Sequence, residues 1–261
     1  MNILLAGAGK IKGDNMTGKQ ILRLDKILAH MGKGSRREIK QIVKSKRVTV
    51  NGIVAQSADM HIRLDHDRIE LDGEPVVYRE YIYLMLHKPP GVLSATEDNY
   101  EKVVTDLLHK EHRMFSPFPV GRLDKDTEGL LLLTNDGILA HNLLSPKRHV
   151  NKTYFAKIDG LVTEKDIVSF AQGVILDDGY QTMPAKLVIL KSGAQSEVEL
   201  TIQEGKFHQV KRMFAAVGKY VTYLKRLSMG PLQLNHELAL GSYRELLADE
   251  MEALQKIKKG E

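Results

Sequence analysis

The chain has 261 residues, 43% of them hydrophobic and none of them cysteine, with a net charge of +5. This is enough for one large domain or two, each with a buried core, and it excludes disulfides, thiolate metal sites and cysteine nucleophiles. No apolar run approaches the length of a membrane span. In "MNILLAGAGKIKGDNM" the basic residues follow the apolar patch instead of preceding it, unlike a secretory signal, so a cytoplasmic protein is expected. Charge is spread unevenly. Residues 1–80 carry 15 Lys and Arg against 10 Asp and Glu, whereas residues 81–261 carry 23 of each. Within residues 19–50 ten basic side chains face two acidic ones, the asymmetry of a module that meets nucleic acid.

Residues 1–20 show no sustained periodicity and read as a flexible extension, with Met16 as an alternative start. Gly7, Gly9 and Gly13 miss the GxGxxG spacing, and no GK[ST] ending or βαβ pattern follows, so a nucleotide loop is discarded. From Leu22 the pattern sharpens: Leu24, Ile27, Leu28 and Met31 recur at helical spacing, with Gly32 as the stop. "SRRE" predicts a capping box of Ser35 and Glu38 opening a second helix. Ile39, Ile42 and Val43 form its buried stripe, and Arg36, Arg37, Lys40 and Lys44 fall largely on the other side. "RVTVNGIVA" predicts a hairpin turning at Asn51-Gly52. Residues 21–80 are thus expected to form a small helix–helix–hairpin domain. Its candidate phosphate contacts are Arg23, Lys26, Lys33, Arg36, Arg37, Lys40, Lys44, Lys46 and Arg47. "LDGEPV" and the charged stretch to Glu80 read as a linker.

Residues 81–250 read as a second, larger domain. "YIYLMLHK" predicts a strand, "PPG" a turn and "NYEKVVTDLL" a short helix. "GILAHNLL" is helical and "KTYFAKIDG" a strand. "SEVELTIQ" alternates, with Val198, Leu200 and Ile202 on one face. "KFHQVKRMFAAVG" reads as a helix with Val210, Phe214 and Val217 inward and Gly218 as its stop. Strands and helices mix without a βαβ repeat, which predicts an α+β fold with a mixed, mostly antiparallel sheet and flanking helices. Residues 251–261 are a tail, either a surface helix or a frayed end.

The segment "GRLDKDTEGLLLLTNDG", residues 121–137, gathers Asp124, Asp126, Glu128 and Asp136 around an apolar run. A calcium loop would place Asp124, Asp126, Glu128 and Gly129 at its first, third, fifth and sixth positions, but position twelve is Asn135 and no loop-to-helix pattern follows. A glycosidase-like carboxylate pair stays open but unsupported, since spacing does not give side-chain separation. Asp126, Glu128 and Asp136 read as turn residues. Asp124 stands apart. It follows Arg122-Leu123 at the end of an expected apolar strand, where a sheet delivers a residue to a cleft, and a nucleophilic carboxylate there needs a cation to stay ionised. Spacing does not say which cation.

The same segment resembles the signature of the pseudouridine synthases that modify ribosomal RNA and carry a small N-terminal RNA-binding domain like that of ribosomal protein S4. "KTYFAKIDG", "EGKFHQVKRMFAAVG" and "RLDKILAHMGKGSRREIKQIVKSKRVTVNG" agree, so the resemblance spans roughly residues 22–250. "HQVKRMFAAVG" is most similar to the branch acting on small-subunit (16S) rRNA, at uridine 516. The resemblance implies an isomerase that needs no cofactor and no metal. One uridine has its N-glycosidic bond cut, and the uracil rotates and rejoins through a ring carbon.

It also implies roles. Asp124 matches the essential aspartate, as nucleophile or as base. Tyr154 matches the tyrosine that packs on the target base and takes part in proton removal, and Lys211 the cation that pairs with the aspartate. Arg122 matches a residue that contacts the RNA backbone or fills the gap left by the flipped base. His208 alone reads as a helix-surface histidine. His87-Lys88-Pro89 stands where the family commonly has Asn-Lys-Pro, and the stretch before Leu22 has no family counterpart. The expected partner is 16S rRNA or the assembling small subunit, bound by a monomer. Two other readings are a 23S rRNA synthase of the same family and a non-catalytic RNA-binding assembly factor.

Overall fold

The structure is a computed structural model, and it describes residues 20–259. The expected extension before Gln20, with its alternative start, lies outside the described residues. The chain divides into two compact units between Glu80 and Tyr81.

The first unit runs β1 (Ile21–Arg23), α1 (Leu24–His30), α2 (Arg36–Lys44), β2 (Val48–Val50), β3 (Ile53–Val54), β4 (His61–Arg63), β5 (Ile69–Leu71) and β6 (Glu74–Pro75). The capping box forms: the Ser35 side chain accepts from the Glu38 amide, and Glu38 accepts from the Ser35 amide at 2.7 Å. Asn51 and Gly52, both with positive φ, turn β2 into β3, the conformation that makes Asn-Gly a hairpin signal. Leu24, Ile27, Leu28, Ile39, Val43, Val48 and Ile62 form the core, and the basic face of α2 stays in water. The expected linker is instead part of this fold. Asp72 and Gly73 take positive φ and turn β5 into β6, giving the sheet order β3-β2-β5-β6. Val76 is buried and Tyr78 packs on His30.

The second unit contains β7 (Tyr83–Lys88), a 3-10 turn (Val104–Leu107), α3 (Lys110–Arg113), β8 (Phe118–Pro119), β9 (Glu128–Thr134), α4 (Gly137–Leu144), β10 (Lys152–Asp159), α5 (Glu164–Gln172), β11 (Lys186–Lys191), β12 (Gln195–Ile202), α6 (Gln209–Ala216), β13 (Tyr220–Met229), β14 (Leu232–Gln233), β15 (Tyr243–Glu245) and α7 (Ala248–Lys259). The short helix expected in "NYEKVVTDLL" is only that 3-10 turn. The sheet order is β11-β12-β10-β13-β9-β7-β15, antiparallel except for the β9–β13 pair. The fold is therefore α+β with a mixed, mostly antiparallel sheet. That parallel contact needs Gly129. Its φ is 112°, and a Cβ there would collide with the backbone of Arg226. The strict alternation of β12 buries Val198, Leu200 and Ile202 as expected from its period of two. As far as Lys259 the tail is the helix α7, and its Leu254 is buried in the core with Leu139 and Leu143 of α4. Asp136, wholly buried, caps α4 through the Leu139 amide and takes the Lys258 ammonium at 2.7 Å.

Candidate active site

The residues from Gly121 to Thr127 form a loop between β8 and β9, so Asp124 does not end a strand; the run "FPVGRL" pairs with β9 only as far as Val120, whose amide donates to the Leu132 carbonyl at 2.8 Å. What fixes this loop is a buried cation. The Lys88 ammonium, 0% exposed, donates to the carbonyls of Pro89 (3.0 Å), Asp124 (3.1 Å), Lys125 (3.2 Å) and Thr127 (3.0 Å). Burial pushes its pKa down to about 8, with the nearby carboxylates of Asp126 and Asp124 opposing. The Ser94 hydroxyl donates to the Leu123 carbonyl (2.9 Å) and accepts from its amide (3.1 Å), and the Gly91 amide donates to the Lys125 carbonyl (2.7 Å). The carbonyls of the turn thus point inward to Lys88, and the Asp124 carboxylate is left facing outward to a cavity.

That cavity is open to solvent. It is lined by Arg122, Leu123, Asp124 and Thr127 from the loop, Tyr154 of β10, Ile202 of β12 and Leu224 of β13. The remainder comes from Gly205–Lys206 and the run His208–Lys211. The four residues expected around the reaction, Arg122, Asp124, Tyr154 and Lys211, therefore share one cavity. The Lys211 ammonium, one turn into α6, lies 3.2 Å from the Asp124 carboxylate. It also hydrogen-bonds both oxygens of Asp126, at 2.7 and 2.9 Å. Burial disfavours its charged form, but the two carboxylates outweigh burial and raise its pKa. Lys211 in turn holds Asp126 below the usual carboxylate range. Tyr154 sits mid-sheet between Leu200 and Arg226, 8% exposed. Arg122 is exposed at the rim.

Three cavity features were not legible in the sequence. His208 is not on a helix surface: it precedes α6 in the left-handed conformation (φ 48°, ψ 32°), and its Nε2 is 3.6 Å from Asp124. Asp126 is more than a turn residue, because it shares Lys211 with Asp124. Lys88 is marked only as the lysine of the His87-Lys88-Pro89 run, with nothing in the sequence to say that it holds the loop of Asp124. Glu128 and Asp136 are structural. The first accepts from the Tyr223 hydroxyl at 2.8 Å, and the second caps α4.

In the N-terminal unit, Arg23 pairs with Asp25 at 2.7 Å and Arg47 with Asp72 at 2.5 Å, and both arginine side chains stay half exposed. Lys26, Lys33, Arg36, Arg37, Lys40, Lys44 and Lys46 are exposed. Among the described residues no group of three or more His, Asp or Glu is placed to hold a metal ion, and no helix is long and apolar enough to cross a membrane.

A cationic unit joined to a sheet whose loop carries a lysine-paired carboxylate beside a tyrosine defines a protein that both holds a polyanion and acts on it. The family description "RNA pseudouridylate synthase" matches residues 82–216, and "S4 domain" matches residues 22–69. The chain is 52% identical to an uncharacterised RNA pseudouridine synthase of Bacillus subtilis (strain 168), YtzG, over 89% of this chain and 98% of the relative. It is 40% identical to the ribosomal large subunit pseudouridine synthase B of the same organism, over 89% of this chain and 95% of the relative. It is 38% identical to the ribosomal small subunit pseudouridine synthase A of Escherichia coli (strain K12), over 88% and 98%. A crystal structure of a pseudouridylate synthase superimposes with a TM-score of 0.63 at 36% identity, covering 89% of this chain and 99% of that one. The chain belongs to the RNA pseudouridine synthase family and is an isomerase.

Proposed function

We propose that this enzyme converts one uridine of ribosomal RNA to pseudouridine, with Asp124 as the essential carboxylate, and that its substrate is 16S rRNA, at position 516. The observation that carries the reading is the approach of Lys211 to Asp124 inside a cavity that also holds Tyr154. The reaction breaks the bond from C1′ to N1 and forms one from C1′ to C5, and the C5 hydrogen is lost while N1 gains one. Asp124 acts at the ribose, as nucleophile or as base, and Lys211 stays paired with it as the flipped nucleotide displaces water. Tyr154 stacks on the uracil, offsetting part of the few kcal/mol that leaving the helical stack costs, and assists removal of the C5 proton. Arg122 contacts the backbone or fills the gap left by the flipped base. Lys26, Lys33, Arg36, Arg37, Lys40, Lys44 and Lys46 take phosphates, in the cytoplasm and as a monomer.

Ribosomal RNA as substrate is supported by the relatives named for both subunits. The preference for 16S rests on the run "HQVKRMFAAVG". The 40% identity to a large-subunit enzyme favours 23S as the second reading. Pseudouridine mapping by carbodiimide labelling and primer extension, on 16S and 23S rRNA both deproteinised and in partly assembled subunits, separates them. A single new stop in 16S supports the proposal, a stop only in 23S moves the target, and none in either overturns both.

A further inference from the structure

Phe207 departs from the loop it belongs to. Gly205, Lys206, His208 and the residues after it line the cavity, whereas Phe207 lies outside with 76% of its surface in water. One face of its ring is covered, stacked on the His208 imidazole with centroids 3.7 Å apart and planes 21° apart. His208 is in turn the residue that approaches Asp124. A two-ring stack therefore leads from the carboxylate out to the rim, and its outer ring is left exposed.

The corner that carries this stack is braced from beneath by buried polar groups. Glu204 accepts from the Tyr180 hydroxyl (2.7 Å), the Met183 amide (2.9 Å) and the Gln209 side chain (2.9 Å). Gln209 accepts from the Lys206 amide at 2.8 Å. Arg212, held by Asp177 and Asp178, donates to the Phe207 carbonyl at 3.4 Å. Such a network fixes the left-handed backbone at His208, so the exposed ring is presented by a rigid loop. Two exposed cations also line the cavity, Arg122 and Lys206, the ammonium of the latter 4.5 Å from the centroid of the Tyr180 ring.

Resting on the reading of this cavity as a uridine-isomerising site, we infer that Phe207, stacked on His208, is a nucleobase platform that receives the base next to the target uridine. A uridine drawn out of its helix leaves its neighbour without a stacking partner, and an aromatic face replaces that partner whatever the neighbour's identity. Lys206 and Arg122 suit the phosphates on either side.

The test compares wild type with Phe207→Ala, Phe207→Leu and Phe207→Trp in steady-state pseudouridine formation at increasing rRNA concentration, together with thermal unfolding. The expected result is a rise of about 5- to 100-fold in KM for both the alanine and the leucine variants. kcat should fall far less, unfolding should stay unchanged, and tryptophan should restore KM. Leucine keeps the apolar packing on His208 but cannot stack, so a leucine variant with wild-type KM overturns the platform while the isomerase reading stands. If wild type forms no pseudouridine, the isomerase reading fails first. Kd for single-stranded rRNA fragments then decides the platform, and a wild-type Kd in Phe207→Ala overturns it.

Discussion

The two units of this protein use cations in opposite ways. On α2 of the N-terminal unit, Arg36, Arg37, Lys40 and Lys44 are exposed and form no ion pair among the described residues. Behind and beside Asp124, by contrast, three cations are committed: Lys88 to four carbonyls, Lys211 to two carboxylates, Arg212 to two more. Uncommitted charges suit a polyanion held by counterion release, where number matters more than position. Committed charges hold one group still, and there position is everything. Substitutions in the two regions are therefore expected to act on different quantities.

The largest effect is expected at Asp124. Asp124→Asn should lower pseudouridine formation by at least ~10²-fold while RNA binding, measured by filter retention, stays at the wild-type level. Next comes Lys211→Met, which removes the ammonium that Asp124 and Asp126 share. A loss near ~10²-fold in kcat is expected, the usual result of misplacing a reacting group by about 1 Å, and Lys211→Arg should recover most of it. The comparison is sharpened by changing Arg36, Arg37, Lys40 and Lys44 together to Gln. At saturating RNA the rate should hold. The slope of log affinity against log salt should shrink by about 3, since each phosphate left without its cation takes away roughly 0.7–0.9.

The smallest effect is one of pH. Lys152 is buried, and burial lowers its pKa from 10.5 to about 8, with Arg226 adding to the shift. Between those values the unfolded chain holds more protons than the folded one, so stability rises with pH; below about 8 both forms are protonated and the slope disappears. Between about pH 8 and 10, the stability of Lys152→Met in urea should rise less than that of wild type.

Local chemistry is legible in the sequence wherever it is decided locally. The Ser35–Glu38 box, the Asn51-Gly52 turn and the alternation of β12 depend on residues within a few positions of each other. The hairpin at Asp72-Gly73 uses the same turn chemistry but reads as a linker, because β6 is two residues long and ends in Pro75. The cavity is legible only in part, through the resemblance of its motifs. Lys211 and Asp126 are 85 positions apart, and they meet because the parallel β9–β13 pair brings the loop before β9 to the start of α6. His208 escapes a sequence reading because helical spacing extends through it, while its backbone is left-handed.

The most direct measurement uses rRNA carrying tritium at C5 of its uridines, since forming the C5 glycosidic bond expels that hydrogen. With wild type, tritium is expected to enter the solvent up to one equivalent per RNA molecule, and with Asp124→Asn none above background. Release by Asp124→Asn at the wild-type rate would contradict the account, because the reaction would then not depend on the carboxylate that Lys211 holds.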